Sequence, residues 1–179
     1  MCIRDRVRSF RASFTIPPRP EGDIRLRPEL GGGALLDTAG YPVRAALRFL
    51  GPELRPAGAF LRGGRGAGVD LGGAALFEAP GGVAVQCEFG MEHHYTSAYR
   101  FLGTKGSLDV GHVFTTPPDH SPVVRVEGRP GVHEETVPAD DQFANSLESF
   151  AGAVRGARSG TDPETRTQAG LIDLIRAAG

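Results

Sequence analysis

The sequence GGGALLDTAGYP, residues 31–42, predicts the start of a helix, because three consecutive glycines lead directly into a helical pattern. Asp37 and Tyr41 are four residues apart and therefore share one face of that helix. The glycines allow the backbone to approach a ligand closely, and they leave the first N–H groups of the helix open. Pro42 lacks the amide that would donate to the carbonyl of Thr38, so the sequence predicts a strained helix with a kink at Tyr41. The alternative is a glycine-rich turn before a core helix in which Tyr41 only packs.

Apolar periodicity and turn residues divide the rest of the chain into strands and helices. The first helix is predicted over 33–50 and ends at Gly51-Pro52. Its apolar side consists of Leu35, Leu36, Ala39, Val43, Ala46, Leu47 and Leu50. Strands are predicted over 7–16, 56–61, 69–78, 82–91, 97–102, 106–112, 123–127 and 133–137. Most joins between strands are short and rich in glycine or proline, which is typical of an antiparallel meander.

Two further helices are predicted near the C-terminus. Asp140 or Asp141 caps the first, whose apolar positions at helical spacing are Phe143, Leu147, Phe150, Ala151 and Val154. The second begins at Asp162-Pro163-Glu164 and has a buried side of Leu171, Ile172, Leu174 and Ile175. The sequence therefore predicts an α+β fold with one open, mostly antiparallel β-sheet and helices packed on one face. The other face is polar in strands such as 84–89, or forms an interface.

The composition is that of one globular domain. The chain has 179 residues, of which 40% are hydrophobic and 23% charged, and 20 basic residues nearly balance 21 acidic ones. This balance argues against nucleic acid or an anionic membrane as a partner. The domain is predicted over 7–179, and the polar start, 1–6, as a non-native or disordered leader. Two cysteines, and the lack of an apolar run of about 18 residues, favour a cytoplasmic protein.

Several motifs carry a resemblance to a known family. They are RLRPELGGGALLD at 25–37 with Tyr41 four residues after its aspartate, GGVA at 81–84, FLGTKGSL at 101–108 and DDQF at 140–143. From about Val7 onward, the chain resembles the C-terminal, substrate-binding domain of the glucose-fructose oxidoreductase, inositol dehydrogenase and rhizopine catabolism family (Gfo/Idh/MocA). Members begin with a Rossmann domain, which has a glycine-rich turn for the dinucleotide and a catalytic lysine in a Glu-Lys-Pro motif. Neither motif occurs in this sequence.

The resemblance implies hydride transfer between a nicotinamide and the CH–OH or ketone carbon of a sugar, nucleotide sugar or cyclitol. NAD or NADP would bind mainly to the other domain, so we expect the chain alone to bind no cofactor and to be inactive. The family also implies a homo-oligomer that forms through the open face of the sheet. Tyr41 would exchange a proton with the substrate oxygen, and Asp37 would orient the substrate or Tyr41. A phenol with a pKa of about 10 needs a nearby cation as a base, and the family lysine supplies it.

Tyrosine at position 41 favours the sugar oxidoreductases of the family, including reductases of keto sugars in deoxysugar pathways. The alternative is a free-standing sugar-binding or oligomerisation module without redox activity. A dinucleotide-binding sequence upstream of Met1 would favour the enzyme, and a stop codon there would favour the module.

Five further residues are candidates for substrate binding. Arg25 and Arg27 alternate with apolar residues, so in an extended segment both guanidinium groups point the same way, toward a phosphate, diphosphate or cofactor. A solvated loop is the alternative interpretation. Gly33 lets the backbone approach the ligand. His94 and Tyr95 belong to a polar aromatic cluster that either lines a sugar pocket or covers a sheet edge.

Three other features receive weaker interpretations. His93 and His94 are neighbours in sequence, so their rings do not converge from a strand, and no metal site is predicted. The glycine-rich stretch 63–68 is interpreted as a loop and not as a phosphate site, because no strand leads cleanly into it. The prolines of 114–120 predict a loop, to which the sequence assigns no function.

Overall fold

A computed structural model of the chain describes residues 6–63, 68–156 and 163–179. The leader predicted over 1–6 and the loop predicted over 63–68 lie largely outside the described residues, and so does the predicted helix cap Asp162. None of the helices in the described part of the chain is both long and apolar enough to cross a membrane.

Eight strands form one sheet. They are β1 (Val7–Thr15), β2 (Arg55–Gly63), β3 (Asp70–Ala79), β4 (Val83–Gly90), β5 (Thr96–Gly103), β6 (Gly106–Gly111), β7 (Val123–Gly128) and β8 (Gly131–Thr136). Their order across the sheet is β2-β3-β4-β1-β5-β6-β7-β8. One strand departs from the meander that most joins predict, because β1 is inserted between β4 and β5 and runs parallel to β4. All other neighbouring pairs are antiparallel.

Four α-helices accompany the sheet: α1 (Ala34–Asp37), α2 (Gly40–Leu50), α3 (Gln142–Val154) and α4 (Pro163–Ala178). Two short 3-10 helices, Ile24–Leu26 and Pro28–Leu30, precede α1. The helix layer consists of α1 on β3 and β4, α2 on β1 and β4, and α4 on β2. The largest fully buried side chains between helices and sheet are Phe10, Leu47, Phe77, Phe89, Met91 and Ile175. The predicted α+β fold, with an open and mostly antiparallel sheet, is confirmed.

The helix predicted over 33–50 is two helices. The N–H groups of Thr38 and Ala39 both donate to the carbonyl of Ala34, which ends α1 after one turn. Pro42 then lies in the first turn of α2, where a missing N–H costs nothing because first-turn amides have no intrahelical partner. The strained interior proline is therefore a wrong prediction, and Tyr41 lies at the start of a new helix.

Some predicted apolar sides are exposed instead of buried. On α3, Phe143, Leu147, Phe150 and Val154 are 64%, 70%, 69% and 71% exposed, although their spacing is helical. In the chain, this helix comes directly after β8, a strand whose six residues are all exposed. It does not belong to the helix layer that α1, α2 and α4 form on β1 to β4. Leu36 and Leu174 were also expected on buried sides, and both are about half exposed.

Candidate active site

A hollow of ≈ 580 Å³ lies between the helix layer and the sheet, next to the break between α1 and α2. Pockets for small molecules typically have volumes of about 300–1,000 Å³. The residues that line it include Leu36, Asp37, Gly40, Tyr41, Arg44, Phe49, Tyr99, Phe114 and Gln168. The structure thus brings Asp37 and Tyr41 to the same hollow, although they lie on two helices and not, as predicted, on one face of a single helix.

Tyr41 is fixed by other rings and still reaches solvent. Its ring centroid lies 4.6 Å from that of Phe14 on β1 and 5.8 Å from that of Phe114, which precedes β7. Phe14 and Phe114 are themselves buried. The tyrosine side chain remains 39% exposed and lines the hollow. A phenol held in this way is available as a proton donor to a molecule in the hollow.

Asp37 is held by an ion pair with the loop before α1. Arg25 Nε donates to Asp37 Oδ2 at 2.9 Å, and the negative charge of Asp37 raises the pKa of Arg25. Arg25 also pairs with Asp23, and the pKa of Asp23 is lowered, chiefly because its carboxylate accepts the backbone N–H of Arg25. These contacts keep a carboxylate and a guanidinium together beside Tyr41.

Arg25 and Arg27 do not form the predicted pair of parallel guanidinium groups. The segment Ile24–Leu26 is a 3-10 helix and not an extended strand, so the alternation argument does not apply. Arg27 Nε donates instead to Glu29 at 2.7 Å, on the exposed surface. Arg25 is therefore the one of the two arginines that contacts a residue of the hollow.

The glycine turn does not leave the helix N–H groups open, contrary to the sequence prediction. The amides of Gly31, Gly32 and Gly33 donate to the carbonyls of Pro28, Arg27 and Arg25. The N–H of Leu35 donates to Asp70 Oδ2 at 2.7 Å, so a carboxylate from β3 caps α1. The amides of the turn and of Leu35 are therefore bonded within the protein, and Asp70 fixes the start of α1.

Gly33 is required for a reason that the sequence alone does not show. Its φ is +117°, a value that favours glycine, and an added Cβ would clash with the carboxylate of Asp70. Gly33 therefore makes room for the contact between Asp70 and α1, instead of exposing the backbone to a ligand.

The Asp70 contact predicts a pH dependence of stability. Burial raises the pKa of the Asp70 carboxyl, and the hydrogen bond from Leu35 opposes that shift without cancelling it. The folded state therefore binds this proton more tightly than the unfolded state, so ionised Asp70 lowers stability at neutral pH. We expect the free energy of unfolding of the wild type, minus that of Asp70→Asn, to increase as the pH falls from 7 toward 4. Urea unfolding of both proteins at several pH values measures this difference, and a pH-independent difference would contradict the prediction.

Two residues that sequence reasoning missed fix the start of α2. Gln168 on α4 donates from Nε2 to the carbonyl of Gly40 at 3.0 Å, and its Oε1 accepts from Arg44 Nε at 2.6 Å. Arg44 also contacts Glu164, with Nη1 3.4 Å from a carboxylate oxygen. Gln168 lies one helical turn before the buried Leu171 and Ile172, so helical spacing gave a signal that it faces the core.

The structure separates the two candidates His94 and Tyr95. Tyr95 contacts Phe14 edge-on, with ring centroids 6.4 Å apart, and thereby joins the ring cluster that holds Tyr41. The carbonyl of His94 accepts from Thr15 Oγ1 at 2.8 Å, which is a backbone contact at the end of β1. Within 6–63, 68–156 and 163–179, no group of three or more His, Cys, Asp or Glu side chains is arranged to hold a metal ion.

Comparisons with known proteins show the family of the chain. A sequence model of the GFO/IDH/MocA C-terminal domain matches residues 5–109. A dTDP-3,4-didehydro-2,6-dideoxy-alpha-D-glucose 3-reductase of Actinomadura kijaniata is 47% identical over 175 residues, which cover 95% of this chain and 52% of that relative. The reductase of the same name from Streptomyces violaceoruber is 47% identical over 183 residues, covering 96% of this chain and 54% of the relative.

A solved structure shows the same fold. The crystal structure of a 3-ketoreductase from Actinomadura kijaniata in complex with NADP and TDP-benzene matches with a TM-score of 0.91 and 46% sequence identity. The match covers 96% of this chain and 54% of the other. The chain thus spans about half the length of the relatives that it matches.

Proposed function

Because the chain belongs to the Gfo/Idh/MocA family, we propose that it is the substrate-binding portion of an NAD(P)-dependent oxidoreductase that reduces a keto group of a nucleotide sugar. The observation that carries the proposal is Tyr41, a partly exposed phenol fixed by Phe14 and Phe114 at a hollow of suitable size. The similarity to reductases of dTDP-linked keto sugars supports the substrate class. The free thiol of Cys87 agrees with a cytoplasmic location, which we include in the proposal.

In the proposed reaction, Tyr41 donates its phenolic proton to the sugar oxygen as the carbonyl becomes an alcohol. The contacts with Phe14 and Phe114 limit the movement of the ring, so the hydroxyl is positioned before the substrate binds. Asp37, held by Arg25, accepts hydrogen bonds from sugar hydroxyls and orients the ring. Arg27, His94 and Tyr95 remain proposed contacts for the outer part of the substrate, whereas Gly33 acts by shaping the turn.

The nicotinamide cofactor supplies the hydride in such a reduction. The glycine turn of this chain does not fit the diphosphate of a dinucleotide, because the amides of Gly31, Gly32 and Gly33 are already bonded to backbone carbonyls. The amide of Leu35 is likewise bonded, to Asp70. We therefore propose that the cofactor binds mainly to a part of the full-length enzyme outside the described residues, and that the chain alone is inactive.

A chimera tests the proposed function. Residues 6–179 would replace the matching half of the Actinomadura kijaniata reductase, and NADPH oxidation would be followed with a dTDP-linked 3-keto sugar. We expect the chimera to reduce this substrate, and we expect the chain alone to show no saturable NADPH binding in a fluorescence titration. A folded chimera that binds NADPH and the nucleotide sugar without turnover would contradict the proposal and favour a binding module. Micromolar NADPH affinity of the chain alone would contradict the proposal that the cofactor binds mainly outside the described residues.

The open face of the sheet supports a second part of the proposal, a homo-oligomer. This face has a hollow of ≈ 820 Å³, which Phe60 on β2 and Leu76 on β3 line together with small residues and with the polar side chains of Arg11, Arg62 and Glu88. Phe60 and Leu76 are 63% and 44% exposed, which leaves apolar area for a second copy to cover. The family resemblance points to the same surface.

Leu76→Glu is expected to convert the oligomer into a monomer, because the substitution places a charge where a second copy would cover the exposed Leu76 side chain. The matched control is Val132→Glu, which changes a 53% exposed residue of β8 outside this surface and should leave the mass unchanged. Size-exclusion chromatography with light scattering measures the mass of all three proteins. A monomeric wild type, or equal masses for the two variants, would contradict this interface.

A further inference from the structure

The segment from Gly111 to Pro122, between β6 and β7, is a built structure and not a free loop. Ser97, which is buried on β5, holds this segment by two hydrogen bonds to the backbone of Phe114. Ser97 Oγ accepts the N–H of Phe114 at 2.7 Å and donates to the carbonyl of Phe114 at 3.1 Å. The N–H of Val113 donates to the carbonyl of Ser97. His112 and Thr115, on either side, have positive φ values of 50° and 51°, which the Ser97 contacts maintain.

This anchoring connects a series of rings to Phe114 and Tyr41, which line the hollow. Phe114 packs against Phe14 and Tyr41. His112 stacks on Tyr95 with ring centroids 6.0 Å apart and planes at 29°, and its centroid lies 5.3 Å from that of His120. Tyr95 in turn contacts Phe14. The rings of Tyr41, Phe14, Tyr95, His112 and His120 therefore form one continuous row of contacts.

The rings of this row, and Phe114 beside it, differ in burial. Phe14 and Phe114 are buried and act as the support, whereas Tyr95 is 36% exposed and His112 is exposed. The stacked pair of Tyr95 and His112, called the ring platform below, thus presents flat π surface to solvent. Flat rings at a protein surface bind nucleobases by stacking, which contributes about 1–3 kcal/mol per base and accepts any base because every base has a π face.

The distance between the ring platform and Tyr41 agrees with a ligand that has two parts. The centroids of Tyr41 and Tyr95 lie 4.6 and 6.4 Å from that of Phe14, so they are separated by no more than the sum of the two, about 11 Å. A nucleotide sugar has its base and its hexose at opposite ends, joined by a ribose and a diphosphate. A hexose next to Tyr41 therefore leaves the base within reach of the ring platform.

We infer that the ring platform of Tyr95 and His112 is a stacking site for the base of the nucleotide sugar, an inference that rests on the proposed function. Tyr95 and His112 stack on each other, so no base fits between them. The base would therefore stack on an outer, solvent-exposed side of the pair. Phe14 and Ser97 act as positioning residues, since they hold Tyr95 and the segment with His112 in place.

Titration calorimetry of the chain with dTDP tests the ring platform. Tyr95→Ala is expected to weaken dTDP binding about tenfold or more, which is the usual effect of removing one stacked ring. Tyr95→Phe keeps the ring and should bind within about threefold of the wild type. His112→Ala should also weaken binding, whereas the control His133→Ala, which removes an exposed imidazole of β8, should not. Inorganic pyrophosphate should bind more weakly than dTDP, because it has no base.

Each contrary result overturns the ring platform. These results are an absence of dTDP binding, equal binding by Tyr95→Ala and the wild type, and equal affinities for pyrophosphate and dTDP. In the chimera, a loss of NADPH affinity without a loss of dTDP affinity in Tyr95→Ala would assign the rings to the cofactor instead.

The outcomes for the two proposals are separable. An inactive chimera with ring-dependent dTDP binding refutes only the proposed function, and an active chimera with ring-independent dTDP binding refutes only the platform.

Discussion

Replacement of Tyr41 by phenylalanine is expected to lower the turnover of the active chimera by about 100-fold or more, because acid–base groups typically contribute that factor. The substitution removes one oxygen atom and leaves the ring contacts with Phe14 and Phe114 in place. The affinities for NADPH and for dTDP should therefore remain nearly unchanged. An equal decrease in kcat and kcat/KM would show that the lost interaction forms only in the transition state. Steady-state kinetics of NADPH oxidation provide both parameters.

Tyr99→Phe is the matched control for this substitution. Tyr99 also borders the hollow, and burial raises the pKa of its phenol, so it remains neutral. It packs among Phe10, Phe49 and Phe101, and the loss of its hydroxyl should change turnover by only a few-fold. Turnover near the wild-type value in Tyr41→Phe, or a larger loss in Tyr99→Phe, would mean that Tyr41 only packs.

Local patterns predict the elements of this fold because each element has its own period. The eight strands and the helices lie close to their predicted positions, since alternation and turn residues are local signals. The position of β1 between β4 and β5, in contrast, depends on contacts between distant parts of the chain. Strands that follow one another usually pair, and β1 is separated from both its neighbours, β4 and β5, by α1, α2 and two strands or more. Periodicity within a strand does not specify that pairing.

The break between α1 and α2 shows how a correct local observation led to a wrong structure. Pro42 does disfavour a continuous helix, and the chain responds by ending α1 at Asp37 and starting α2 at Gly40. The backbone strain of a proline inside a helix, which the sequence predicts, is thus avoided. The exposed stripe of α3 shows a similar limit, because helical spacing indicates that a face is apolar and does not specify what covers it.

The candidate site was predictable where its residues are close in sequence. Asp37 and Tyr41 are four residues apart, at the end of α1 and the start of α2, and both line the hollow. The groups that hold them come from distant parts of the chain: Asp70 contacts Leu35 across 35 residues, and Gln168 contacts Gly40 across 128. Such contacts depend on the order of the strands and the position of α4, which one sequence does not specify.

Replacement of Gly33 by alanine is expected to destabilise the protein by about 3 kcal/mol, the combined effect of a strained backbone and of overpacking. The backbone of Gly33 has a φ of +117°, and the new Cβ would clash with the carboxylate that caps α1. Relief of the clash requires Asp70 to withdraw from the N–H of Leu35, and that amide would lose its partner. Urea unfolding, followed by circular dichroism, measures the change in the free energy of unfolding.

Gly22→Ala separates the two causes of this loss. Gly22 has a φ of +87° and open space where its Cβ would lie, so alanine there adds backbone strain without a clash. We expect Gly22→Ala to cost about 1–2 kcal/mol, less than Gly33→Ala. In an Asp70→Ala background the carboxylate is absent, and the cost of Gly33→Ala should then fall to nearly that of Gly22→Ala. Additive effects of Gly33→Ala and Asp70→Ala would instead mean that the two residues do not interact. In that case Gly33 would be required only for its backbone angle, and not to make room for the carboxylate of Asp70.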